Sequence, residues 1–309
     1  MTAPARPPAV ALVGTTASGK SALALAAARA LPAVELVSVD SMQVYRGMDV
    51  GTAKPTPAER AEVPHHLLDL VEPWEECSVA AFQAEARAVL ADLAARGRRA
   101  VLVGGTGLYQ RAVVDDLDIP GQHPEVRAEL EAEPDTAALH RRLTDLDPVA
   151  AARMEPTNRR RIVRALEVGL GSGRPFSSYG PGLDAHPADA IPQVGVRLPA
   201  PVVADRIAAR YRAQLDQGFL EEVDALLALD RPLSRTAGQA LGYREMAAHL
   251  QGEVDLEEAL DEAVRRTRRF ARRQRAWFRG DPRIAWVDAE DDPAEVADAV
   301  VARLAAALG

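Results

Sequence analysis

Lysine is nearly missing from this 309-residue chain: of 37 basic side chains only Lys20 and Lys54 are lysines, the rest arginine. That bias, with abundant alanine, is what a GC-rich genome imposes and carries no chemistry by itself, but it draws attention to the two lysines that remain. Cysteine is as scarce. Cys77 stands alone, so no internal disulfide forms and no Cys/His set has zinc spacing; a reducing cytoplasm is the expected compartment. Long apolar runs are missing too. Residues 1–8 lack the apolar core of a signal peptide. Arg29 and Glu35 interrupt the longest stretch approaching a membrane span, so no membrane partner is expected. There are no internal repeats and no long apolar surface stripe, which favours a monomer. The formal charge of −8 argues against nucleic acid as a partner, except where basic residues cluster.

What is present begins at residue 14. Gly14-Thr15-Thr16-Ala17-Ser18-Gly19-Lys20-Ser21 is a complete G-x-x-x-x-G-K-[ST] phosphate loop. It follows the apolar run Ala9–Val13 and opens a helix-prone stretch, the strand–loop–helix context that gives the motif its meaning. Backbone N–H groups of such a loop converge on phosphate oxygens. Lys20 neutralises the terminal phosphates, and the Ser21 hydroxyl suits Mg²⁺. The loop says phosphate without saying which phosphate compound.

Strands and helices then alternate. Val34–Val39 reads as a second strand, Ser78 as the N-cap of a helix through Arg96 with Gly97 ending it, and Arg98–Val103 as another buried strand. The pattern predicts an α/β fold, a doubly wound parallel sheet with ligands at the strands' carboxyl ends. Residues 117–192 change character, rich in Pro, Glu, Asp and Arg with helical periodicity, and read as a small helical insertion domain. Residues 1–116 and 193–309 form the core domain, whose C-terminal part is mostly helical after a strand at Val194–Leu198, with a last strand at Ile284–Val287.

Asp40 ends the second strand, where a carboxylate faces the bound phosphates and serves as a general base or a water-mediated Mg²⁺ ligand; the plain alternative is a turn cap. Gly47–Pro55 is too polar to be core and reads as an active-site loop, with Lys54 either on a ligand or solvated. Gly104-Gly105-Thr106-Gly107 offers close backbone approach and a hydroxyl at a third strand end. His65-His66 lacks a third ligand at metal spacing and reads as structural. In Glu257–Arg279, Arg265, Arg268, Arg272, Arg275 and Arg279 recur at steps of three and four, one stripe on a helix, and Ala263, Thr267, Phe270, Gln274 and Trp277 form the packing side. Arg159, Arg160, Arg161 and Arg164 cluster in the insertion. Each cluster alone reads equally as solvated charge; two on an acidic chain favour a polyanion.

Together these segments resemble the bacterial tRNA dimethylallyltransferase (tRNA isopentenyltransferase) family. The resemblance is carried by Gly14–Ser21, Asp40–Tyr45, Met48–Pro55, Gly104–Tyr109, Arg164–Val168, Leu241–Glu245 and Arg272–Arg279, along nearly the whole chain. Thr15 stands where the family usually has proline, Ser21 where threonine is common, and Arg275 in a variable position; the zinc-finger extension of eukaryotic relatives is missing. The resemblance implies a P-loop NTPase-like core and transfer of a dimethylallyl group from dimethylallyl diphosphate to N6 of adenosine 37 of tRNA, 3′ to the anticodon. Asp40 and Thr106 would be catalytic. Residues 14–21 and Arg210 would hold the diphosphate, with Mg²⁺ on Ser21. Contacts to the anticodon stem-loop would come from Asp40, Ser41, Met42, Gln43, Thr106, Arg127, Arg160, Arg161, Arg164, Gly242, Tyr243, Arg244, Arg272, Arg273, Gln274, Trp277 and Arg279. A small-molecule kinase is the competing reading, since Asp40 equally orients a substrate hydroxyl against ATP, although no nucleotide-base site or arginine-rich lid adjoins the loop. A non-catalytic RNA-binding protein is disfavoured by the intact Lys20, Ser21 and Asp40.

Overall fold

A computed structural model describes residues 7–183 and 185–309. Six strands, β1 (Ala9–Val13), β2 (Val34–Val39), β3 (His65–His66), β4 (Arg99–Gly104), β5 (Gln193–Arg197) and β6 (Ile284–Asp288), form one sheet in the order β3-β2-β4-β1-β5-β6. Every pairing is parallel. The strands are apolar on both faces because parallel crossovers cover both with helices. Alternation divides their side chains: Ala11, Val13, Val37, Val39 and Leu102 enter one core, while Val10, Leu12, Leu36 and Val101 enter the other.

Register decides where the ligands go. Val13 and Val39 both pair with Gly104, so β1, β2 and β4 end at one level. Gly14, Asp40 and Gly105 therefore start their loops side by side.

Helices α1 (Lys20–Ala30), α2 (Pro57–Glu62), α3 (Val79–Ala95) and α4 (Gly107–Val114) intervene between or follow the first four strands. Ser78 caps α3 by accepting from Ala81 N–H, and Gly97 leaves it at φ 65°, the left-handed conformation glycine tolerates. Helices α5 (Pro124–Ala132), α6 (Thr136–Leu146), α7 (Pro148–Ala152) and α8 (Arg159–Ser172) precede β5. Beyond β5 lie α9 (Ala200–Asp216), α10 (Phe219–Leu227), α11 (Arg235–Gly238), α12 (Tyr243–Leu250), α13 (Leu256–Arg279) and, after β6, α14 (Ala297–Leu308).

The chain divides into two units, Met1–Val114 with Asp189–Gly309, and Asp115–Ala188. These joints fall slightly earlier than 117 and 192, because the segment before β5 returns to the sheet unit early: Ile191 N–H donates to Val114 O at 3.1 Å. The smaller unit has its own core, built on Leu130, Leu139, Leu143, Ile162 and Leu166. Among the described residues no helix is long and apolar enough to cross a membrane.

Candidate active site

The phosphate loop is wound tightly. Gly19 takes φ 79° and Ala17 takes φ 60°, a left-handed conformation that costs a non-glycine residue strain energy and is retained mainly at functional sites. A Cβ on Gly19 would sit 2.3 Å from Pro293 Cγ, so the C-terminal segment packs directly on the loop. Ser18 Oγ is buried with no partner among the described residues, a polar atom left for a ligand.

Around the loop lies a cleft of about 430 Å³ lined by Thr16 to Ser21, Asp40, Gln43, Thr52 to Pro55, Gly105, Arg206, Arg210 and Gln274, among others. Lys20 Nζ donates to Thr15 O at 2.6 Å. Burial pushes its pKa down to about 8; the Asp40 carboxylate opposes that shift and the Arg210 charge adds to it. An anion bound beside it would raise that pKa again, since a nearby negative charge favours the ammonium. Arg210 Nη1 donates to Thr16 Oγ1 at 3.0 Å and Arg206 Nε to Ala17 O at 3.0 Å, both from α9. Arg206 lies one helical turn before Arg210, so the i, i+4 spacing carried the signal that sequence analysis passed over. Ser21, at the start of α1, exposes its side of the helix to the cleft.

Asp40 Oδ1 accepts from Met42 N–H at 2.8 Å; Oδ2 has no partner among the described residues. Thr106 Oγ1 lies 3.3 Å from both Ser41 N and Ser41 Oγ, joining the ends of β2 and β4. Gln43 Oε1 accepts the Ser38 hydroxyl at 2.7 Å.

Gln274 reaches into this site from α13. Its Oε1 accepts Thr16 N–H at 2.8 Å and its Nε2 donates to Gly105 O at 2.8 Å, so one amide ties the phosphate loop to the β4 loop. It is 6 % exposed. Trp277, one turn on, is 37 % exposed and lies against Gly107, where a Cβ would come within 2.4 Å of the indole.

The arginine stripe of α13 is not continuous. Arg268 donates to Ala204 O at 3.2 Å and Arg275 to Leu198 O at 2.5 Å, because these two, a heptad apart, form the edge of the stripe that borders α9. Arg265 pairs with Glu262. Arg272, Arg273 and Arg279 are exposed and have no salt bridge among the described residues. Gly242 and Tyr243 are buried, with the Tyr243 hydroxyl donated to Glu222 at 2.6 Å; of that trio only Arg244 is exposed. In the smaller unit Arg160 and Arg161 are exposed, whereas Arg164 is held by Glu167 at 2.8 Å and Pro120 O at 2.7 Å. Arg127 is paired with Glu131 at 2.9 Å.

Lys54 is not solvated. It is 8 % exposed, and its Nζ donates to Tyr45 O at 2.5 Å and to Asp49 and Asp69 carboxylates at 2.6 Å each. His66 Nε2 bonds Glu35 at 2.7 Å and His65 Nδ1 bonds Val63 O at 2.7 Å, so both histidines serve the edge of the sheet.

A parallel sheet whose first strand runs into a glycine loop, with a carboxylate ending the second strand and helices on both faces, defines a P-loop NTPase-like fold. The particular family follows from comparison. The model of the IPP transferase family matches residues 43–281. The tRNA dimethylallyltransferase of Nocardioides sp. is 50 % identical over 308 residues, covering 99 % of this chain and 98 % of its own. That of Streptomyces coelicolor is 49 % identical over 288 residues, covering 92 % and 91 %. Among solved structures, the full-length tRNA isopentenylpyrophosphate transferase of Bacillus halodurans superposes with TM-score 0.69 at 38 % identity, covering 97 % of this chain and 96 % of that one. The chain belongs to the IPP transferase family.

Proposed function

We propose that this enzyme is a tRNA dimethylallyltransferase that moves the dimethylallyl group of dimethylallyl diphosphate onto N6 of adenosine 37, 3′ to the anticodon, and releases diphosphate. The observation that supports the reading is the common level of Gly14, Asp40 and Gly105, with Lys20 and Asp40 lining one cleft and Thr106 hydrogen-bonded to Ser41 next to Asp40. The C–O bond to the diphosphate breaks as the N6–C bond forms, and Asp40 takes the N6 proton. Lys20, Arg210 and the loop amides stabilise the charge that grows on the departing diphosphate. Thr106 hydrogen-bonds near the amine. The Ser21 hydroxyl and the Asp40 carboxylate are oxygen donors of the kind Mg²⁺ accepts beside phosphate oxygens and water, and the unpartnered Ser18 Oγ fits the same polar cradle. Bound there, Mg²⁺ would supply further charge neutralisation on the leaving group.

The adenosine must leave its stack to reach the cleft. Exposed Arg272, Arg273 and Arg279 on α13, and Arg160 and Arg161 in the smaller unit, supply backbone charge contacts to the anticodon stem-loop. The protein works as a monomer in the cytoplasm. Incubation with unmodified tRNA and labelled dimethylallyl diphosphate tests the reading: label should enter tRNA without ATP. Stoichiometric ATP consumption instead would favour the kinase.

A further inference from the structure

The loop that follows Met48 contributes Thr52, Ala53, Lys54 and Pro55 to the cleft lining. Its shape is set from outside. The Glu222 carboxylate on α10 accepts three successive amides, Asp49 N–H at 2.8 Å and Val50 N–H at 2.7 Å on Oε2 and Gly51 N–H at 3.1 Å on Oε1. Tyr243 adds its hydroxyl to Oε1 at 2.6 Å. Gln214 on α9 holds the carbonyls of the same turn, donating to Val50 O at 2.6 Å and Gly51 O at 3.1 Å. Gly51 lies flat on aromatic rings: a Cβ there would come within 2.2 Å of Phe219 and 2.5 Å of Tyr243. Converging amide dipoles form a nest for an anion, and here the anion is a side chain of the protein itself.

From this anchor the wall runs to the chemistry. Gln43 Nε2 donates to Thr52 O at 3.2 Å and Ala53 O at 3.1 Å, and Gln43 follows Met42, whose N–H is held by Asp40. The wall itself presents no free charge, since Lys54 is consumed by internal bonds. We infer that Glu222 is a positioning residue for the transfer reaction: its carboxylate fixes the uncharged wall of the cleft and, through Gln43, steadies the turn that carries Asp40. The inference rests on the transferase reading above.

Glu222→Gln keeps an acceptor but turns an NH₂ group toward backbone donors, and Glu222→Asp keeps the charge one methylene short. Glu222→Gln should lower kcat/KM for dimethylallyl diphosphate about ten- to a hundredfold, the scale of a small misplacement near a reacting centre. Glu222→Asp should recover part of that loss. The dissociation constant for inorganic diphosphate should move by less than about twofold, since the phosphate loop is not held by this wall. Hydrogen exchange at residues 49–55 should quicken in both variants. Wild-type kinetics in folded Glu222→Gln overturn the inference, and so does a lower melting temperature with unchanged kinetics per folded molecule. Equal weakening of inorganic diphosphate overturns it as well, since the effect would then lie on the phosphate loop. If Glu222→Gln does not fold, Tyr243→Phe deletes one donor and keeps the ring; a fall of about threefold in kcat/KM is expected, and wild-type kinetics refute it. Should the wild type transfer no prenyl group, the function reading fails on its own. Exchange rates and dimethylallyl diphosphate binding in the same variants then still decide whether Glu222 shapes the wall.

Discussion

Asp40 spends one carboxylate oxygen on the Met42 amide and keeps the other for the cleft. Asp40→Ala should lower kcat about 10²-fold or more with the fold intact, the usual worth of one positioned base; single-turnover rates on unmodified tRNA measure it. Lys20 carries the pH dependence. Its ammonium is held down to about 8 in the free protein, so affinity for dimethylallyl diphosphate should be level below about 8 and weaken about tenfold per unit above it. Calorimetric titrations across that range check the bend, which Lys20→Ala should abolish. The same shift fixes a sign for stability. Between about 8 and the ordinary 10.5 the unfolded chain binds more protons at Lys20, so stability from this group rises with pH there. Sequence alone pointed to Asp40, Thr106 and the phosphate loop because each lies where an apolar run stops, and strand ends are local patterns. It left Lys54 undecided, because the partners that bury it, Tyr45, Asp49 and Asp69, follow no spacing rule.

Among the elements, α13 divides its arginine stripe into two edges. Its exposed Arg272 and Arg279 suit phosphate contacts, whereas Arg268 and Arg275 fasten the helix to α9 and to the segment before it. Changing Arg272 and Arg279 together to alanine should raise the Kd for tRNA and flatten its logarithmic salt dependence by about 1.4, two phosphates at about 0.7 each. Filter binding over a salt series reads both. Arg275→Ala should leave the salt slope alone and cost roughly 1.5 kcal/mol of stability, a charge-assisted bond to Leu198 O. Helical spacing located the stripe but not its division, since a period of three and four is blind to which neighbour the helix meets.

At the scale of the whole molecule, the smaller unit owns a core separate from the sheet's two. Leu143, fully buried in it, should cost about 3 kcal/mol when cut to alanine. Limited proteolysis should then open residues 115–188 first, with the affinity for dimethylallyl diphosphate unchanged. The composition changes near residue 117, two residues after this unit begins. The ties that complete the site were not legible, because Gln274 and Glu222 act far along the chain from the loops they hold.

Gln274 lies 258 residues after Thr16, the amide it accepts. A ribosome adding roughly 5–20 residues per second makes the phosphate loop tens of seconds before it makes the side chain that ties this loop to Gly105. During that interval a nascent chain carries the whole glycine motif without its closing clasp, and any phosphate it meets finds an unfinished cradle. The segment that announces the protein's chemistry at the start of translation becomes a binding site only near the end of it.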